Sequence, residues 1–199
     1  MKTLIKNVKT TQTLLGNSGD DLLSINVLLS DGKIEKISET NIDGDFEKTI
    51  DGAGYFLSPG LCDPQVHFRE PGLEYKEDIT SGSQAAIKGG FTAVISMPNT
   101  TPTADNYETV KFMWNKQKEV GLCRVYPTGA VTMGLLGHEN ADYKSLKEAG
   151  AIALTDDGKG VQKDEVFKAC MIEAAKLDMP VLDHSEDETL SAGGSIHLG

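Results

Sequence analysis

The sequence predicts an α/β protein in which a small all-β unit, residues 1–56, precedes a series of strand-and-helix units filling residues 57–199. Three observations lead there. The opening segment consists of short apolar runs punctuated by turn residues. After Pro59-Gly60 the pattern changes to strand-length apolar runs alternating with helical or loop stretches. Regular alternation of that kind describes a parallel sheet, wound either open or into a barrel.

Within the first unit, strands are expected at Thr3–Val8, Leu22–Leu29 and Lys33–Ile37, the last two joined by the turn signal Ser30-Asp31-Gly32. Asp51-Gly52-Ala53-Gly54 breaks the pattern. The second unit offers strands near Leu57–Val66, Phe91–Met97, Arg124–Thr128, Ala151–Thr155 and Pro180–His184. Its clearest helices are Tyr107–Val120 and Lys163–Leu177. In the latter, Val166, Phe167, Cys170, Met171, Ala174 and Ala175 recur at helical spacing, and Asp164 suits the N-terminus.

Thirty acidic against nineteen basic residues give a formal charge of -11, which opposes binding to a nucleic-acid backbone or an anionic membrane. No tract is long and apolar enough to span a bilayer, and the N-terminus lacks the apolar region of a secretory signal, so the expected location is cytoplasmic. Cys62, Cys123 and Cys170 are odd in number and widely spaced in apolar contexts; they are expected to be reduced and buried, with no thiolate zinc site.

Parallel barrels gather their chemistry at the C-terminal ends of the strands. Those positions here hold Gln65, His67 and Arg69, then Asn99, then Asp156 and Asp157, then His184, Glu186 and Asp187. Imidazole and carboxylate groups from separate strand ends suit a zinc-type hydrolytic centre, while Arg69 and Asn99 suit a carboxylate of the substrate. Taken singly, each has a plainer reading. Asp156-Asp157-Gly158 is also a turn and helix-start signal, Met97-Pro98-Asn99-Thr100 is also a loop, and Asp187-Glu188 is also a solvated face. His138 and His197 lie in glycine-containing loop sequence and are given no role.

The stretch Asp63-Pro-Gln-Val-His67-Phe-Arg69-Glu-Pro-Gly72 resembles the metal- and substrate-binding signature of dihydroorotases, in the amidohydrolase superfamily. The resemblance extends through Lys88–Thr92, Met97–Thr100, Thr128–Val131, Lys147–Gly150, Leu154–Gly158 and Asp183–Asp187. It implies a partial TIM-like (β/α)8 barrel, about five of eight strands, preceded by a small β domain of the composite type found in that superfamily. It also implies reversible interconversion of dihydroorotate and N-carbamoyl-L-aspartate. Carried over by residue, His67, Asp157 and His184 become ligands of one or two zinc ions, and Arg69 and Asn99 bind the substrate carboxylate. The pattern places the ligand role on Asp157 rather than Asp156.

Two departures qualify this. Gln65 stands where the family usually has the first histidine of a His-x-His pair, and an amide is a poor zinc ligand beside imidazole. A full barrel needs roughly 250 residues, so the later strands and the general-base aspartate are expected beyond Gly199, and these 199 residues alone are expected to be inactive. Three functional readings follow: the front of a dihydroorotase, alone or in a homo-oligomer; a non-catalytic scaffold for aspartate transcarbamoylase; or a hydantoinase- or allantoinase-type enzyme. Arg69 and Asn99, which suit a free carboxylate, argue against the last.

Overall fold

The computed structural model describes residues 1–19 and 21–194, so His197 lies outside the described residues. The chain forms two compact units, Met1–Pro59 and Gly60–Gly199.

The first unit is a four-stranded sheet of β1 (Lys2–Thr11), β2 (Leu22–Ser30), β3 (Lys33–Ser38) and β4 (Lys48–Asp51), in the order β3-β2-β1-β4. The β2–β3 hairpin closes through Asp31-Gly32, both at positive φ (49° and 76°), the mirror-image turn geometry that matches strand twist. β1 carries a bulge between Ile5 and Val8, with Asn7 at φ 58°, and its buried residues serve two apolar clusters: Leu4 with Leu28 and Ile42, Val8 with Ile25 and Val27. β4 carries no apolar alternation and all four residues are exposed, so the sequence pattern does not announce it; it pairs parallel to β1. The unit extends past residue 56, since Leu57 donates its N–H to Lys9 and its carbonyl accepts from the Thr10 hydroxyl.

The second unit is mixed α/β. β5 (Leu61–Val66), β6 (Phe91–Ser96) and β7 (Arg124–Pro127) form a parallel sheet in sequential order, and α1 (Ile79–Lys88) and α2 (Tyr107–Val120) fill the crossovers. α3 (Tyr143–Ala149), α4 (Asp164–Lys176) and α5 (Glu188–Ser191) follow. The expected strands at 151–155 and 180–184 are reduced to isolated parallel bridges, Gly129 to Leu154 and Leu154 to Val181. The order is still sequential, and bonds such as Thr155 N–H to Gly129 O (3.0 Å) and Leu154 N–H to Pro180 O (3.0 Å) keep the strand direction. Pro180 has no N–H, which removes a ladder donor and shortens the pairing.

The core of this unit is built by Val110, Met113, Leu146, Leu154, Cys170 and Ala174, with a second cluster around Phe68, Ile79, Val94 and Val125. On α4 the inward stripe is narrower than its apolar spacing predicts: Cys170 and Ala174, one turn apart, are buried, whereas Met171 and Ala175 are exposed. Cys62, on β5 at one edge of the three-stranded sheet, is also exposed, contrary to expectation; Cys123 and Cys170 are buried. No helix among the described residues is long and apolar enough to cross a membrane.

Candidate active site

The segment after β5 is positioned by its own motif residues. Phe68 and Glu70 turn inward, 6% and 7% exposed, which leaves His67 and Arg69 half-buried on the other side. Glu70 is no bystander: its Oε2 accepts the N–H of Ile79 at 2.9 Å, satisfying one of the open donors at the start of α1. Gly72, at φ 91°, lies so close to the Thr101 carbonyl that a Cβ would overlap it, and Thr101 donates its own N–H to the Pro71 carbonyl at 2.9 Å. The 67–72 and 97–102 motifs, about thirty residues apart, are thereby packed into one wall.

Across that wall the side chains converge on Asp157. His67 Nε2 lies 3.3 Å from Asp157 Oδ2, and His67 Nδ1 lies 3.0 Å from Asn99 Oδ1. The Asn99 amide nitrogen points to Asp157 Oδ2 at 3.5 Å, and the Gln65 amide donates to Asp157 Oδ1 at 2.5 Å. Arg69 Nη1 donates to the backbone carbonyl of Asn99 at 3.4 Å, placing the guanidinium beside the same cluster. The Asn99 side chain is thus directed at His67 and Asp157, an orienting contact that sequence reasoning did not foresee.

The neighbouring aspartates are not interchangeable. Asp156 is 3% exposed; its Oδ1 accepts the N–H groups of Val131 (2.8 Å) and Thr132 (3.0 Å), and its Oδ2 accepts the Thr132 hydroxyl. Burial pushes its pKa up, opposed by those hydrogen bonds. Asp156 therefore braces the 129–132 loop from within, while Asp157 faces a cavity of about 700 Å³ lined also by Gln65, Met97, Asp183, His184 and Glu186.

His184 shares that cavity but not the contact cluster. Its Nε2 lies 3.1 Å from Glu186 Oε2, and the Ser191 hydroxyl, followed by His184, holds the Glu186 carboxyl below its usual value. Asp187 caps α5 by accepting from the N–H groups of Thr189 (2.8 Å) and Leu190 (3.2 Å). His138 lines a different cavity with Lys159 and Lys163.

The donor set suits a zinc-type ion in kind and in one spacing. Two ligand atoms each about 2.0–2.1 Å from a tetrahedral ion lie roughly 3.3–3.4 Å apart, and His67 Nε2 and Asp157 Oδ2 are separated by 3.3 Å. Among the described residues no three His, Cys, Asp or Glu side chains are already grouped to hold a metal; this pair, with His184 lining the same cavity as Asp157, forms a partial donor set.

Comparison with known proteins identifies the family and the fold. Residues 54–199 match the family described as dihydro-orotase-like. A dihydroorotase of Aquifex aeolicus (strain VF5) is 43% identical over 196 residues, spanning 97% of this chain and 44% of the relative. One from Desulforapulum autotrophicum is 49% identical over 151 residues, 76% of this chain and 35% of that protein. Among solved structures, an L-hydantoinase (dihydropyrimidinase) from Arthrobacter aurescens superposes with a TM-score of 0.76 at 24% identity, over 96% of this chain and 44% of that one; it shares the fold. A D-hydantoinase superposes with a TM-score of 0.71 at 25% identity, over 94% and 40%. The chain thus spans less than half the length of these relatives.

Proposed function

The chain belongs to the dihydro-orotase-like family, and from that premise we propose that the full-length protein interconverts dihydroorotate and N-carbamoyl-L-aspartate by hydrolysis and re-formation of a ring amide. The observation that carries this reading is the convergence of His67, Asn99 and Asp157, from the segments that follow β5, β6 and the isolated Leu154 bridge, with Arg69 beside them. In this reading residues 60–199 are the opening arc of a (β/α)8 barrel, with the small β unit as its companion domain, in a cytoplasmic enzyme. Its partners are a small-molecule substrate and either a second copy or aspartate transcarbamoylase.

Arg69 binds the substrate carboxylate through the planar donor fork of its guanidinium, and Asn99 supplies a further donor. Asn99 also fixes the His67 ring by facing Nδ1, so that Nε2 stays turned toward Asp157. His67, Asp157 and His184 would hold zinc, which when bound polarises the ring carbonyl and makes a water nucleophilic at neutral pH. Asp157 presents one oxygen to His67, while Gln65 donates to its other oxygen and offers no imidazole. Gln65→His should therefore raise zinc retained after dialysis by up to about one ion per chain, read by elemental analysis.

Arg69 and Asn99 favour this substrate over a hydantoin, which lacks the carboxylate. The deciding experiment follows ring opening of dihydroorotate and of hydantoin by the zinc-loaded full-length protein. Turnover of dihydroorotate with little of hydantoin is expected; the reverse preference would make it a hydantoinase. No turnover of either, with tight binding to aspartate transcarbamoylase, would make it a scaffold.

A further inference from the structure

The segment carrying His184 leaves the sheet early. Leu182 donates to the Leu154 carbonyl at 2.9 Å, and beyond it the backbone hydrogen bonds of residues 183–194 are local, such as Glu186 N–H to His184 O at 2.8 Å. The side-chain partner of His184, Glu186, is only two residues away and cannot fix the segment to the body of the unit. The loop 158–162, which follows Asp157 directly, supplies the tie.

Gly160 packs against the carbonyl of His184 so closely that a Cβ there would overlap the oxygen, and it would also meet Glu186 O at 3.3 Å. Gln162 spends its whole amide on the same junction. Its Nε2 donates to Gly160 O (2.9 Å) and to Glu186 O (2.8 Å), and its Oε1 accepts the N–H of Glu188 (3.1 Å). Two donors and one acceptor are matched in a single orientation; a flipped amide would set oxygen against two carbonyls and N–H against N–H.

We propose that Gly160 and Gln162 are positioning residues that hold His184 across the cavity from Asp157, by stapling the loop after Asp157 to the backbone on both sides of Glu186. The inference rests on the reading of Asp157 and His184 as site partners. Neither residue reacts; they set the spacing between the groups that do.

The test uses the full-length protein with Gln162→Ala, Gln162→Glu, Gly160→Ala, His184→Ala and the double variant Gln162→Ala/His184→Ala. In Gln162→Ala, kcat for dihydroorotate should fall roughly tenfold to a hundredfold, the scale of an approximately 1 Å misplacement, with KM within about twofold. Gln162→Glu should be no better than alanine, since its carboxylate faces two carbonyls. In the His184→Ala background, adding Gln162→Ala should cost less than about twofold, because the pair act as one unit. Amide exchange in Gln162→Ala should quicken across 183–190 and stay unchanged in α2.

Multiplicative losses in the double variant, wild-type turnover in Gln162→Glu, or unchanged exchange at 183–190 would each overturn the proposal. Should Gly160→Ala fail to fold, the Gln162 variants decide. If the wild type does not turn over dihydroorotate, or His184→Ala leaves turnover intact, the site reading fails, and amide exchange alone decides whether the staple exists.

Discussion

His67 follows β5 and His184 follows the isolated bridge at Val181, yet they are held in opposite ways. His67 meets Asn99 and Asp157, 32 and 90 residues away, and its loop is pinned by Glu70 to α1 and by Gly72 to Thr101. His184 meets Glu186, two residues on, in a segment that has already left the sheet. One wall of the candidate site is therefore fixed by long-range packing, and the other by local bonds and the loop 158–162. Substitutions in the first wall should disturb geometry and stability together, whereas those in the second should act mainly on chemistry.

The sharpest probe is the carboxylate on which the first wall closes. Asp157→Ala removes the acceptor for Gln65, His67 and Asn99 together, and turnover by the full-length protein should fall by more than about a hundredfold, beyond what losing one supporting partner of a metal ligand costs. Asp156→Ala should act differently. It strips the acceptor from two buried N–H groups and a buried hydroxyl, so stability should drop by about 3 kcal/mol, read from the urea midpoint. Loss of turnover in Asp156→Ala at unchanged stability would exchange their roles and break the comparison.

The contrast also explains what could be read in advance. Helix α2 and the strands β2 and β3 follow from local periodicity and turn chemistry, so their positions were legible. β4 was not, because its pairing with β1 rests on backbone bonds that leave no apolar alternation. The strand-end residues could be listed from the order of apolar runs, but listing does not separate Asp156 from Asp157 by physics. That distinction depends on Val131 and Thr132, 25 and 24 residues upstream, and no spacing rule encodes it. Glu70 and Gln162 were missed for the same reason: their partners are backbone groups, whose identity the sequence conceals. Cys62 was misjudged because an apolar neighbourhood in sequence does not reveal an edge strand.

Arg69 tests the first wall at smaller amplitude. Arg69→Lys keeps the charge but loses the planar fork and the reach to the Asn99 carbonyl, so KM for dihydroorotate should rise on the order of tenfold, about 1.4 kcal/mol, with kcat less affected. Steady-state kinetics decide it. An unchanged KM would remove Arg69 from substrate binding and leave it as a brace of the 97–102 loop.

The smallest effects are expected at the two helix caps, the first of them at the foot of the first wall. Asp78 caps α1, its Oδ1 accepting the Ser81 N–H at 2.7 Å while the Ser81 hydroxyl answers the Asp78 N–H at 3.3 Å. Removing the cap with Asp78→Ala should cost about 1 kcal/mol at neutral pH. The Ser81 N–H, ahead of the other contributions, holds the Asp78 carboxyl below its ordinary value of 3.8. A depressed folded-state value gives stability that is fully present above the unfolded value and lost as pH falls through the folded one. The gap between wild type and Asp78→Ala should therefore hold from pH 7 down toward the ordinary carboxylate value and narrow below it. Asp187, which caps the four-residue α5 with the same chemistry, supplies the control. Asp187→Ala should leave the global urea midpoint within about 0.5 kcal/mol of wild type, because a short exposed turn can open without unfolding its unit. If the two caps cost the same, the second wall is as firmly built as the first.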